Sequence, residues 1–394
     1  MVGTVTMTDS TEMFRVIAIG GDHYNTYGIV RSLGKQGIKS DVLILAKRPK
    51  GSFVLQSRYV ANGVVCLNSK DAVDYLVSNY DKSSVNIVIC CSDEAVEMVI
   101  DNYAILSDSF ILPLCRTPEE TKRLMNKANI SSFALEFGLA VPKSWEICER
   151  SIPEGICFPC LTKPIESTHG RKSDIVVCRD MEELRAVVCD QRRCPDYVVQ
   201  EYIDYEKEVS ILGAVLQNGE VVFSGCIDKL RTCMIGTSSF AVMLDNALLG
   251  DNVEKLTNLM HKSGYRGLFS AEFLKKDDTF YFLEVNFRND GNTFVATASG
   301  LNLPYLYVMS CMGRESKAAT AHYPCFFMLE IEDFLKRKTN GVSYRQWRKD
   351  LSQADCCLVY DKDDIGPFKK KACLEICSYF NFFLIPFRKI GLLK

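Results

Sequence analysis

The stretch 268-LFSAEFLKKDDTFYFLEVNFRNDGNT-293 reads as two strands around the polar turn 276-KDDT-279. Side chains alternate along a strand, so Glu284, Asn286 and Arg288 share one face. A hairpin centred near residue 278 sets Glu272 directly across from Glu284. Two acids opposed in a sheet repel, and a cation between them removes the repulsion. Two carboxylates and an amide oxygen form an oxygen-rich donor set that suits Mg²⁺, which also takes phosphate oxygens. Arg288 on the same face can hold a phosphate or a developing oxyanion. An amphipathic hairpin with its polar face in solvent would give the same pattern, so the rest of the chain has to decide.

Upstream lie short strands: 157-CFPCLTKP-164, 174-DIVVC-178, 197-YVVQEYI-203, 207-KEVSILGAVL-216 and 220-EVVFSGCI-227, interrupted by a helix at 180-DMEELRAVV-188. Lys163 sits in an otherwise apolar strand, where an ammonium is costly unless an anion meets it. The loop 165-IESTHGRKSD-174 carries hydroxyls, one glycine and two bases, and can fold over phosphates. The segment 200-QEYIDYEKE-208 offers acids for ribose hydroxyls. Before these, 117-TPEETKRLMNKANISSFALEFGLAVPKSW-145 reads as a helix pair, opened by Pro at the first helical position with acids in the first turn.

The chain begins differently. The run 14-FRVIAIGG-21, the helical 25-NTYGIVRSLGKQG-37 and the strand 41-DVLIL-45 form a βαβ unit, which implies a parallel sheet with a right-handed crossover. A helix at 71–80, the strand 85-VNIVICC-91 and the capped helix 92-SDEAVEMVIDNY-103 continue it. Residues 14 to about 112 thus read as a small doubly wound domain. Ligands bind such sheets at the carboxyl ends of the strands, here the loops 20-GGDHYNTYG-28 and 92-SDE-94. The fingerprint G-x-G-x-x-G is absent there, so an NAD site is not expected.

In their order and spacing these elements resemble the ATP-grasp superfamily over roughly residues 14–312. The resemblance implies an α/β and α+β protein: a Rossmann-like pre-ATP-grasp domain followed by a two-lobed ATP-grasp fold that clamps ATP between antiparallel sheets. It implies boundaries at 14–112 and 113–312, with a small lobe at about 145–205, after a disordered tail at 1–13 and before an extension at 313–394. Lys127 and Lys163 match the nucleotide lysines. Thr168, His169 and Gly170 match the mobile phosphate-covering loop, although one glycine stands where relatives have several. Glu201, Tyr202 and Ile203 match the hinge that receives adenine through backbone groups, and Glu208 the acid near the ribose. Glu272, Glu284 and Asn286 match the metal set, and Arg288 the arginine two places on. Lys229 and Arg231 lie where some relatives place phosphate- or substrate-binding bases.

The opening 20-GGDHYNTYGIVRSLG-34 and the turn 287-FRNDG-291 resemble the carbamoyl-phosphate-synthase-like branch, and in particular D-aspartate-ligase-type carboxylate–amine ligases. That resemblance implies small-molecule carboxylate and amine substrates, an acyl-phosphate intermediate, and release of ADP and phosphate. ATP and Mg²⁺ are the cofactors it implies, with two ions expected and Mn²⁺ as a substitute. Asn289 and Asp290 would orient the acceptor amine, or simply cap the Asn-Asp-Gly turn. A kinase using the same clamp and a non-catalytic ATP-binding regulator docked by its tail are the competing classes. A homodimer is a further expectation, since dimers are common among such relatives.

Composition agrees with a soluble globular protein: 47% hydrophobic, 24% charged, and a net charge of −2. That charge gives no electrostatic case for nucleic acid. The 18 cysteines are scattered through apolar runs, with no secretory signal at residues 1–13, so reduced, buried thiols in the cytoplasm are expected. Residues 369–394 carry six bases and one acid around an aromatic stripe. This suits either an interfacial helix at the inner face of the membrane or a helix packed on the protein.

Overall fold

The run Phe14–Gly20 (β1) has no polar face because it lies at the centre of a parallel sheet covered on both sides. Its neighbours are Ser40–Leu45 (β2), Val60–Cys66 (β3), Val85–Cys90 (β4) and Phe110–Ile111 (β5), in the order β3-β2-β1-β4-β5. The computed structural model describes residues 14–46, 51–165, 175–193, 195–234, 237–316 and 320–376. The expectations for 1–13, for Thr168, His169 and Gly170, and for most of the 369–394 tail fall outside those residues. The expected βαβ unit is present, with the helix Tyr24–Gly34 as its crossover. The edge strand β3 has no counterpart in the sequence reading. Three of its seven residues are exposed and only one is buried, and they show no periodic apolar pattern.

Thr117 caps the helix Pro118–Met125, and Asn126 breaks the pair by capping Lys127–Glu136, its Oδ1 accepting from Ala128 and Asn129 N–H. That cap fixes Lys127 as the first residue of the second helix. A four-stranded antiparallel sheet follows: Ser144–Ile147 (β6), Cys160–Pro164 (β7), Val176–Cys178 (β8) and Tyr197–Glu201 (β9), in the order β6-β9-β7-β8. Then come Lys207–Val215 (β10), Val221–Met234 (β11), Thr237–Leu244 (β12), Gly267–Lys276 (β13) and Thr279–Asn286 (β14). These join Cys325–Met328 (β15) and Cys356–Cys357 (β16) in one seven-stranded sheet, β14-β13-β10-β11-β12-β15-β16.

The last two strands revise the expected 313–394 extension, because they extend the main sheet and are not appended to it. Arg231 also differs from expectation. Its guanidinium donates to both carboxylate oxygens of Asp333, at 3.1 and 2.8 Å, and to Asp350 at 2.6 Å. It ties the two helices Glu330–Lys336 and Tyr344–Gln353 to the sheet, with its charge already matched by two carboxylates. Arg31, 1% exposed, reaches from the first domain to the carbonyls of Cys357, Leu358 and Tyr360. Residues 365–376 are helical, and Lys371 there pairs with Glu332 at 2.7 Å. The described part of the tail therefore packs on the body of the protein. No helix among the described residues is long and apolar enough to cross a membrane.

Candidate active site

Glu272 on β13 lies directly opposite Glu284 on β14, as the hairpin reading expects. The route to that pairing differs from the expected one. The turn is Asp277-Asp278, with Lys276 opposite Thr279 and Phe273 opposite Phe282. A regular ladder would then set Leu283 against Glu272. Instead the register shifts there, and Leu283 is the extra residue of a β-bulge. The burial pattern shows what the bulge does. Phe280 and Phe282 point into the core with Phe269, Ala271 and Phe273, but the next inward residue is Val285. The bulge thus moves Glu284 and Asn286 from the core side to the opposite face, where Ser270 and Glu272 already lie. Ser210 and Glu208 on β10 extend this face, since Ser210 is paired with Glu272.

The face is electrostatically strained. Burial, and then the Glu284 carboxylate opposite, push Glu272 up to about 8. Asn286 Nδ2 approaches Glu272 Oε1 and Ser270 Oγ at 3.4 Å each, which is weak compensation. No cluster of three His, Cys, Asp or Glu side chains able to hold a metal occurs among the described residues. A cation here would therefore take Glu272 and Glu284, an oxygen from Asn286, and oxygens from a bound phosphate. Two half-buried carboxylates with too few donors fit a hard divalent cation.

Two lysines converge on this face from other elements. Lys127 Nζ is 3.7 Å from Glu284 Oε2. Lys163, on β7 of the small sheet, donates to Gln200 Oε1 at 2.8 Å. Burial lowers the pKa of Lys163, and nearby Lys127 lowers it further, while Glu284, Glu272 and Glu208 raise it. The four charges that act on Lys163 thus belong to the expected nucleotide and metal residues. Lys229 and Glu208 pair with each other across neighbouring strands. In the hinge, Glu201 N–H donates to Lys143 and Tyr202 N–H to Pro159. Ile203 is buried. An adenine ring would have to use the hinge's other backbone groups.

Arg288 ends the row where β14 leaves the sheet. Its Nη2 donates to Asn286 Oδ1 at 3.1 Å and its Nη1 to the Asn289 carbonyl at 3.2 Å. Its Nε lies 2.7 Å from Asp93 Oδ1, at the start of the helix Asp93–Asp101. Burial works against the arginine's charge, but Asp93 outweighs it and holds the pKa above the ordinary value. Asn289 does not reach a substrate. It is 1% exposed, its amide donates to Asn25, and Asn25 Nδ2 donates back to the Asn289 carbonyl at 2.9 Å. Asp290 caps its turn by accepting from Asn292 N–H at 2.8 Å, and also accepts from Ser270 Oγ at 3.4 Å. Gly291 is required for contact: a Cβ there would stand 2.5 Å from the Tyr24 ring. The Arg-Asn-Asp-Gly turn is therefore a seam that fastens the strand of Glu284 and Asn286 to the first domain.

A cavity of about 820 Å³ opens along this seam, with Lys127, Glu284, Asn286 and Arg288 on one wall and Asp93 and Glu97 on the other. Asp93, Gln200 and Ser270 are the site residues that the sequence reading passed over. Ser270 follows from strand alternation with Glu272. Asp93 lies in the flagged 92-SDE-94 loop, but its partner is 195 positions away.

Residues 132–300 match the family model of the ATP-grasp domain. The chain is 28% identical over 177 residues to a formate-dependent phosphoribosylglycinamide formyltransferase of Nitratiruptor sp., covering 43% of this chain and 45% of that protein. It is 22% identical over 246 residues to a D-aspartate ligase of Enterococcus faecium, covering 57% of this chain and 58% of the relative. The matches thus span about half the length of these curated relatives. Among solved structures, N5-carboxyaminoimidazole ribonucleotide synthetase from Thermus thermophilus shares the fold, with a TM-score of 0.61 at 16% identity over 79% of this chain and 81% of that one. The family match contains Lys163, Glu272, Glu284 and Asn286, Lys127 stands five residues before it, and residues 132–300 of this chain match an ATP-grasp domain.

Proposed function

We propose that this protein is an ATP-dependent carboxylate–amine ligase that forms an amide through an acyl phosphate. The observation that carries the reading is the bulge-directed pairing of Glu272 with Glu284 on a face met by Lys127, Lys163 and Arg288. Relatives named as a D-aspartate ligase and a formate-dependent formyltransferase support it.

Lys163 and Lys127 would bind the polyphosphate and orient its terminal group. Glu272, Glu284 and Asn286 would hold Mg²⁺, which neutralises charge as the phosphoryl group moves. Two ions are expected, as in other sites of this chemistry. Arg288 would hold the substrate carboxylate in line and later stabilise the tetrahedral oxyanion. The γ-phosphoryl group passes to the carboxylate oxygen and ADP is released. The amine then attacks the acyl carbon, loses a proton, and phosphate departs with the acyl C–O bond pair. The cavity walled by Arg288 and Asp93 adjoins the metal face and is the proposed seat of the substrates.

Free phosphate release from MgATP, measured with pooled amino acids and small carboxylates and followed by mass spectrometry, tests the reading. Phosphate release that needs both pools, with a condensed product mass, is expected. A product heavier by one phosphoryl group, with ADP and no free phosphate, would make the protein a kinase. Nucleotide binding with no turnover of any pool would overturn the enzymatic reading.

A further inference from the structure

Four contacts hold the Arg288 guanidinium, and two come from a residue with no role assigned so far. Asp93 Oδ1 accepts from Arg288 Nε at 2.7 Å and Oδ2 faces Nη2 at 3.4 Å. Asn286 and the Asn289 carbonyl take the remaining donors. Asp93 belongs to the other domain. It is the first residue of a helix whose cap, Ser92, accepts from Ala95 N–H. It stands at the carboxyl end of β4, where open parallel sheets present their functional groups. Its position is fixed by a second seam contact two residues upstream of that cap, since Cys90 O accepts from Asn289 N–H at 2.9 Å.

The Asp93 side chain is 47% exposed, while that of Arg288 is 18% exposed. A buried structural pair would hide both groups. This pair hides the arginine and leaves its carboxylate partner facing the cavity. The metal-facing strand alone would leave Arg288 with one side-chain acceptor, Asn286 Oδ1, and freedom about its last torsions. The fork held by Asp93 removes that freedom.

We infer that Asp93 is a positioning residue: through it the first domain aims Arg288 at the reacting carboxyl group. The inference rests on the ligase reading above. Asp93 bonds to Arg288, while Lys127 and Lys163 are held by Glu284 and Gln200, so its loss acts on the arginine and leaves the nucleotide lysines in place.

The test uses the full chain with the substrate pair found by the pooled assay. It compares wild type, Asp93→Ala, Asp93→Asn, Arg288→Ala and the double variant, with near-ultraviolet circular dichroism to verify the fold. Asp93→Ala is expected to lower kcat ~10- to 100-fold, the cost of a mis-set catalytic group, with MgADP affinity changed less than about 2-fold, the level expected for an independent site. Asp93→Asn, which keeps one acceptor, recovers part of kcat. In the Arg288→Ala background the Asp93→Ala change costs less than about 2-fold, because its effect runs through the arginine. An undiminished cost in that background would show Asp93 acting on its own and overturn the inference. So would unchanged turnover in folded Asp93→Ala, while the ligase reading stood. Absence of turnover in the wild type with every pool would remove both.

Discussion

Metal–nucleotide binding to this protein should expel a proton, and the amount follows from one pair of side chains. Glu272 is pushed up to about 8 by burial and by Glu284 opposite it. The pair therefore shares a proton at neutral pH. A divalent cation needs both carboxylates ionised, so binding and deprotonation are linked. Most of a proton should therefore leave per site at pH 7, and less at pH 8.5. The same linkage makes MgADP bind more tightly at pH 8.5 than at pH 7. The assay is isothermal titration calorimetry with preformed MgADP in two buffers of different ionisation enthalpy. The slope of observed enthalpy against buffer enthalpy counts the protons. Glu272→Gln should release none. Stability carries the opposite sign in the metal-free protein. A carboxyl raised above its ordinary 4.5 favours folding while protonated, so that contribution is lost as pH rises from about 5 through about 8. Metal-free thermal stability should fall across that window and MgADP should restore it. A buffer-independent enthalpy at pH 7, or weaker binding at pH 8.5, would refute the shared proton.

Deleting Leu283 should remove the bulge and leave a regular ladder in which Glu284 still lies opposite Glu272 and still faces away from the core. MgADP binding is expected to persist in calorimetry in this variant and in Leu283→Ala, and its loss on deletion would show that the bulge itself shapes the site. Lys163→Met should weaken MgADP ~10- to 100-fold, the worth of one charge-assisted contact, read by the same titration. Arg231→Leu leaves the buried Asp333 and Asp350 carboxylates unpaired. A loss of about 3–5 kcal/mol, seen as a fall of roughly 5–10 °C in Tm, is expected with MgADP affinity retained. A large loss of affinity in that variant would return Arg231 to the phosphate site.

What the sequence disclosed depended on range. The first parallel strands, the helix pair at 118–136 and the opposed glutamates are set by local pattern, turn chemistry and alternation, and all are present. The hairpin was legible only by compensation: its turn is centred half a residue earlier than read, and the bulge at Leu283 restores the pairing. Nothing in a period-2 pattern marks such a bulge, except that Phe280 and Phe282 would otherwise share a face with Glu284. The structural role of Arg231 was hidden because its two aspartates lie 102 and 119 positions away. The fate of Asn289 was hidden for the same reason: its partner Asn25 is 264 positions distant. Strands β15 and β16 are short, and their pairing partners are set by tertiary closure, not by their own composition.

The buried Arg31 carries a temporal implication. Its acceptors lie more than 320 residues downstream, at Cys357, Leu358 and Tyr360. A chain leaving the ribosome completes the hydrophobic part of its first sheet long before those carbonyls exist. Until they arrive, the guanidinium either stays hydrated, holding the helix Tyr24–Gly34 off its final seat, or is buried without partners at a cost of several kcal/mol. The first domain is thus an early folder but a late finisher. Its last step waits for the strand at Cys356–Cys357, so maturation of the nucleotide clamp and of the domain before it is one event, timed by the carboxyl-terminal segment.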